Sequence, residues 1–212
     1  MKHVLCFGDS NTWGYIPGTE GERFSFEERF PGILQGRLGA GIRVHEEGLN
    51  GRMTGWDDPH TPDRNALKQI EAVLETHRPL DMIVVMLGTN DLKRFMGLEA
   101  VDCALALDVL IERIEAARCG SSGGRPALLV VSPPHVVETP TPFGRKFDGA
   151  IPKSHAFAAA YAEIAAQRNC LFLDAAPVAR TSARDGIHLE KEAHRQLAEA
   201  VAGIVKKTLG VG

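Results

Sequence analysis

What this chain lacks rules out several kinds of protein. Cysteine is scarce: 212 residues hold four, at positions 6, 103, 119 and 170, with no C-x-x-C pair. That excludes a disulfide framework or a zinc ribbon and leaves four thiols expected to be reduced. Histidine occurs eight times, but never as H-E-x-x-H or another paired-ligand spacing, so no metal site is expected. Charge of one sign is never concentrated: 24 basic residues face 27 acidic ones, for a net charge of −3. A nucleic-acid partner is therefore not expected. No apolar run approaches the roughly 20 residues that span a bilayer. The opening MKHVLCFGDS lacks the basic flank, apolar core and cleavage site of an export signal, which predicts a cytoplasmic protein without membrane contact.

What is present is regular alternation. Short apolar runs occur at Val4–Phe7, Ile42–His45, Met82–Leu87, Leu128–Val131 and Leu171–Leu173, each followed by small or polar residues. Their length and β-branched content predict strands. Amphipathic stretches of helical length lie between them, at about Phe26–Leu38, Arg64–Thr76, Leu98–Arg118 and Ser154–Arg168, with a last from Glu190 to Thr208. Parallel strands need crossover connections, so this order predicts one α/β domain over residues 1–212. The expected form is a three-layer sandwich with a flavodoxin-like five-stranded parallel sheet. Two connections, Gly14–Ser25 and His135–Lys153, are too long for plain turns. They are expected to wall a substrate entrance or to mediate oligomer contacts.

Ligands of such sheets bind beyond the carboxyl ends of the strands. The loops there carry Asp9-Ser10-Asn11, Gly48-Leu49-Asn50-Gly51, Gly88-Thr89-Asn90-Asp91, Ser132-Pro133-Pro134 and the stretch to Asp185-Gly186-Ile187-His188. Alone, Ser10 reads as a turn residue or helix N-cap, and Asp185 and His188 as a cap and a surface histidine. Together they read differently. A serine hydroxyl needs a base within hydrogen-bond reach, and that base needs a carboxylate to fix its tautomer. The three-residue spacing of Asp185 and His188 lets the carboxylate meet Nδ1–H and leaves Nε2 for Ser10. Acyl transfer also needs donors for the developing oxyanion. The Ser10 N–H, the unhindered N–H of Gly51 and the amide of Asn90 are the candidates, although Gly51 and Asn90 also suit ordinary turns.

These residues carry a resemblance. Phe7-Gly8-Asp9-Ser10, Gly51, Gly88-Thr89-Asn90-Asp91 and Asp185-Gly186-Ile187-His188 resemble the four diagnostic blocks of the GDSL-type SGNH hydrolases, a superfamily of serine esterases, lipases and acyltransferases. The resemblance implies Ser10 as nucleophile, His188 as base, Asp185 as its orienter, and Gly51 and Asn90 beside the Ser10 amide in the oxyanion hole, with no cofactor. CFGDSNTWGY, EEGLNGRMT, MLGTNDLK, VVSPP and DGIHL resemble the bacterial arylesterase and acyltransferase group. That group implies short-chain and aryl esters as small-molecule substrates, some acyl transfer, and a homo-oligomer. Acetylated carbohydrates and acyl thioesters are alternative substrates, and a non-catalytic small-molecule binder is the alternative of another class. The chain departs from the name-giving motif at Asn11, where the superfamily has Leu.

Around this centre, Trp13, Asn11, Phe143 and Ile187 are candidate substrate contacts. Trp13 follows the nucleophile by three positions and equally suits simple packing. Phe143 and Phe147, on the long loop, are expected to cover the site or to meet another subunit.

Overall fold

Successive residues of a strand point to opposite faces of its sheet, and the first strand shows the result. Leu5 and Phe7 enter one core, while Val4 and Cys6 enter another. The computed structural model describes residues 1–121 and 123–211. Its strands are β1 (Lys2–Gly8), β2 (Ile42–Gly48), β3 (Met82–Met86), β4 (Ala127–Ser132) and β5 (Leu171–Asp174). They form one sheet in the order β2-β1-β3-β4-β5, and every neighbouring pair is parallel. The helices are α1 (Ser10–Trp13), α2 (Phe30–Leu38), α3 (Ile70–His77), α4 (Ala100–Ala116), α5 (Ala150–His155), α6 (Phe157–Gln167) and α7 (Lys191–Leu209).

The two cores make this a three-layer α/β fold. Ile70 and Leu74 of α3, Leu107 and Leu110 of α4, and Phe157 and Tyr161 of α6 cover one face together with Ile83, Val85, Leu128 and Val130 of the sheet. Phe30 and Leu34 of α2 and Leu197, Val201 and Val205 of α7 cover the other, against Met82, Val84, Leu129 and Val131. The central strand β3 is buried along its whole length. Such continuous apolar runs are what a strand covered on both faces requires.

Three helices differ from the sequence expectation, each for a local reason. Residues 26–29 do not join α2: Arg29 is extended (φ −93°, ψ 150°), and Pro31 occupies the first turn, where its missing N–H costs no hydrogen bond. The stretch from Arg64 starts as a 3-10 turn at Ala66–Lys68, capped by the Asn65 side chain on Leu67 N–H at 3.0 Å, before α3 begins. The predicted helix from Ser154 is two helices, α5 and α6, and α5 reaches back to Ala150 with Pro152 in its first turn. The long connection 135–153 is thus partly helical, with a further 3-10 turn at Gly144–Phe147.

The strand order reverses direction between β1 and β3, which are adjacent although β2 lies between them in sequence. A crevice opens at such a switch point. Ser10 follows β1 there and Asn90 follows β3. No helix among the described residues is long and apolar enough to cross a membrane.

Candidate active site

The turn that presents Ser10 is built by its neighbours. Asp9 caps α1: its Oδ1 accepts the Asn11 N–H at 2.9 Å, and its carbonyl accepts from Thr12 and Trp13 at 3.1 and 2.9 Å. Gly8 permits the close return, since a Cβ there would stand 2.1 Å from Thr12 Oγ1 and 2.7 Å from the Met86 carbonyl. Ser10 therefore opens a one-turn helix at the very end of β1.

The Asp185–His188 turn closes over it. Gly186 adopts φ +86°, and a Cβ at that position would lie 2.3 Å from the Val137 carbonyl. The Asp185 carboxylate accepts from the backbone N–H groups of Ile187 (3.2 Å), His188 (3.0 Å) and Gly18 (3.1 Å), and lies 2.8 Å from His188 Nδ1. His188 Nε2 is 2.9 Å from Ser10 Oγ. An ionised carboxylate only accepts hydrogen bonds, so Nδ1 carries the proton and Nε2 is left to accept from the serine hydroxyl. Burial pushes the Asp185 carboxyl up, but the hydrogen bond and charge of His188 and the two backbone donors outweigh it and hold the group below its ordinary value. Ser10, Asp185 and His188 are all buried.

Two further contacts hold the imidazole. Tyr15 stacks on it with centroids 4.2 Å apart and planes 19° from parallel, and Phe143 lies 5.7 Å away, tilted by 37°. Asn11 grips the backbone on either side: Nδ2 donates to the Ile187 carbonyl at 3.0 Å, and Oδ1 accepts from Leu189 N–H at 3.1 Å. The loop bearing His188 is thus tied to the residue next to Ser10.

The expected oxyanion donors face the same space. Ser10, Gly51, Asn90 and His188 share a cavity of about 250 Å³ with Tyr15, Phe143 and Ile187. Gly51 adopts φ +80°, a conformation that favours glycine. Asn90 Nδ2 donates to the Arg52 carbonyl at 3.1 Å and, at 3.5 Å, to Asp9 Oδ2; the longer of the two bonds is the weaker. Beneath them, Asp91 accepts from Thr54 N–H and Thr54 Oγ1, both at 2.9 Å, and so joins the Asn90 turn to the loop of Gly51. The buried Arg52 guanidinium lies 4.2 Å above the Phe7 ring and donates to the carbonyls of Gly8 (2.7 Å) and Glu47. Burial pushes the carboxyls of Asp9 and Asp91 up, to about 6 and about 7.

Two of the expected substrate contacts have other partners. Neither Trp13 nor Asn11 lines the cavity. Trp13 packs under the Arg23 guanidinium at 4.9 Å. Asn11 has both ends of its amide engaged by the histidine loop. Tyr15, Lys93 and Arg64 line the cavity without having been singled out; Tyr15 stood in the quoted N-T-W-G-Y, but nothing in its spacing marks it. Among the described residues, no group of three or more His, Cys, Asp or Glu side chains is placed to hold a metal.

A serine hydroxyl hydrogen-bonded to an imidazole, itself oriented by a carboxylate, beside free N–H donors, is equipped for acyl transfer. Comparisons with known proteins agree with that chemistry. A family model described as GDSL-like lipase/acylhydrolase matches residues 6–196. The solved structure of an aryl esterase from M. smegmatis is similar at 38% identity and TM-score 0.94, covering 98% of this chain and 100% of that one. Est24, a carbohydrate acetylesterase from Sinorhizobium meliloti, is similar at 34% identity and TM-score 0.93, with 98% and 99% covered. A carbohydrate acetylesterase family member from the same organism shares 38% identity at TM-score 0.92, with 100% of both chains covered. No curated protein matches. With nearly all of its length matched, and with the α/β fold of the SGNH hydrolases, the chain belongs to the GDSL-like lipase/acylhydrolase family of ester hydrolases.

Proposed function

We propose that the chain is a serine esterase that cleaves short-chain or aryl carboxylic esters through an acyl-enzyme. The observation that carries this is the continuous hydrogen-bonded path Ser10 Oγ–His188 Nε2 and His188 Nδ1–Asp185, at 2.9 and 2.8 Å, on the wall of a cavity. Ser10 Oγ attacks the ester carbonyl as its proton passes to His188 Nε2. The oxyanion forms against the N–H groups of Ser10 and Gly51 and the amide of Asn90. His188 then gives the proton to the departing alkoxide, leaving Ser10 acylated and an alcohol released. Water, deprotonated by the same nitrogen, attacks the acyl carbonyl and returns Ser10 and a carboxylic acid. A second alcohol in place of water gives acyl transfer. Asp185 stays ionised throughout and steadies the imidazolium.

A cavity of about 250 Å³ favours small acyl groups. The arylesterase and carbohydrate acetylesterase neighbours support two substrate readings, and aryl acetates and acetylated sugars assayed side by side distinguish them. The primary experiment is hydrolysis of 4-nitrophenyl acetate by the wild-type chain and by Ser10→Ala. Loss of turnover in the variant is the expected result, and turnover that survives it contradicts the proposal. The reading takes residues 1–212 as one working domain that associates with copies of itself; light scattering giving the monomer mass contradicts the self-association.

A further inference from the structure

Electrically, the cavity around Ser10 is one-sided. Arg64, Lys93 and Lys146 all line it, whereas none of its lining residues is an Asp or Glu. Lys93 is neutralised by Asp58, with Nζ 2.6 Å from Oδ2. Arg64 and Lys146 have no carboxylate within 4 Å among the described residues. Lys146 sits at the rim, 5.1 Å over the ring of Phe143.

Arg64 is held in place by its own chain. Its carbonyl accepts Met53 N–H at 2.7 Å, and its terminal nitrogen donates to the carbonyls of Pro62 and Asp63 at 2.9 and 3.0 Å. The side chain passes over Gly51, with Cδ and Nε 3.7 and 3.8 Å from where a Cβ would stand. Its Nε is buried and has no hydrogen-bond partner among the described residues. The adjacent Asn50, also lining the cavity, carries a second buried atom without a partner, Oδ1. A buried donor left unpaired costs as much as a lost hydrogen bond. A guanidinium N–H is satisfied best by an anionic oxygen, and the Asn50 amide, turned over about its last torsion, presents a second donor.

We infer that Arg64, with Lys146 at the rim, selects esters that carry a carboxylate in addition to the ester group. The carboxylate binds at Arg64 Nε beside Gly51 while the ester carbonyl meets Ser10. This rests on the reading of Ser10 as the nucleophile. Either half of the ester can carry the carboxylate, and the test separates the two. Mono-4-nitrophenyl adipate against its methyl ester places the charge on the acyl part. 4-Acetoxybenzoate against its methyl ester places it on the alcohol part. For each pair the readout is the ratio of kcat/KM, charged over neutral, corrected for spontaneous hydrolysis, in the wild type, Arg64→Gln and Lys146→Gln.

In the wild type, one of the two ratios is expected above one and falling with added salt. Arg64→Gln lowers that ratio by about ten-fold or more, as the loss of a hydrogen bond to a charged group requires, and Lys146→Gln lowers it less. Ratios at or below one for both pairs in the wild type, or a ratio unmoved by Arg64→Gln, overturn the inference. If 4-nitrophenyl acetate is cleaved but the ratios are flat, only the selection by Arg64 fails; if no ester is cleaved, the esterase reading itself fails.

Discussion

Replacing Asn11 with Ala removes one side chain but breaks two contacts, and both lie on the loop that carries His188. The Ile187 carbonyl and Leu189 N–H lose their partners at 3.0 and 3.1 Å. Both residues are buried, so water replaces the lost bonds poorly. An unsatisfied buried polar group costs about 1–3 kcal/mol, which puts the two together at about 2–6 kcal/mol. At roughly 2–4 °C per kcal/mol for a chain of this size, the midpoint of thermal unfolding should fall by roughly 4–24 °C. Activity should suffer as well. His188 keeps Asp185 on one side, but its flanking backbone is released from the Ser10 turn, and misplacing a reacting group by about 1 Å can cost as much as 10²-fold. The expected drop in kcat is therefore roughly 10- to 100-fold, with KM little changed, because Asn11 does not line the cavity. Asn11→Leu removes the same two bonds without opening a cavity and should behave alike. The assays are calorimetry and steady-state hydrolysis of 4-nitrophenyl acetate. Wild-type Tm and kcat in both variants would refute the reasoning.

Further outcomes follow from the same contacts. Asp185→Asn should lower kcat on the order of 10³–10⁴-fold, as the carboxylate no longer fixes the imidazole tautomer. Since the folded-state value of Asp185 is depressed, its stabilisation is present above the unfolded-state value of about 3.9 and is lost as pH falls through the lower folded one. The Tm gap between wild type and Asp185→Asn, read by calorimetry, should accordingly narrow in acid; a gap that widens there counts against the assignment. Asp91 has the opposite sign: its folded-state value is raised to about 7, so the native state holds a proton that the unfolded chain has released between about pH 4 and 7. Wild-type stability from this group falls as pH rises through that window. Asp91→Asn should gain in Tm relative to wild type between pH 5 and pH 8, and a constant difference speaks against the buried protonated acid. Gly88→Ala forces a side chain onto φ +127° with its Cβ 2.5 Å from the Tyr161 hydroxyl. A Tm within about a degree of wild type would contradict the strain of about 1–3 kcal/mol expected there.

The sheet was legible because its signal is local. Val4–Phe7 and Met82–Leu87 are apolar throughout, and only a strand covered on both faces uses such runs; β3 is buried from end to end. Helix starts were less legible, since the 26–29 segment and the Ser154 boundary depend on where Pro31 and Pro152 sit. Ser10, Asp185 and His188 could be picked out because their chemistry demands partners. The structure brings all three within hydrogen-bond reach, although 178 positions separate His188 from Ser10. The tie from Asn11 to the histidine loop is not legible in the sequence, because a polar residue beside a serine looks the same whether it faces a ligand or a backbone. Its partners lie 176 and 178 positions away, beyond any local pattern. Tyr15 and Arg64 were invisible for the same reason: their value comes from a stacking distance and from a path over Gly51, and neither leaves a periodic trace.

The central claim is that Ser10 is a nucleophile activated by His188. The most direct measurement is covalent labelling by a fluorophosphonate, followed by peptide mass mapping. The account predicts a single adduct on the peptide containing Ser10, absent in Ser10→Ala and formed far more slowly in His188→Ala. An adduct on another residue, or ester turnover that survives Ser10→Ala, would contradict it.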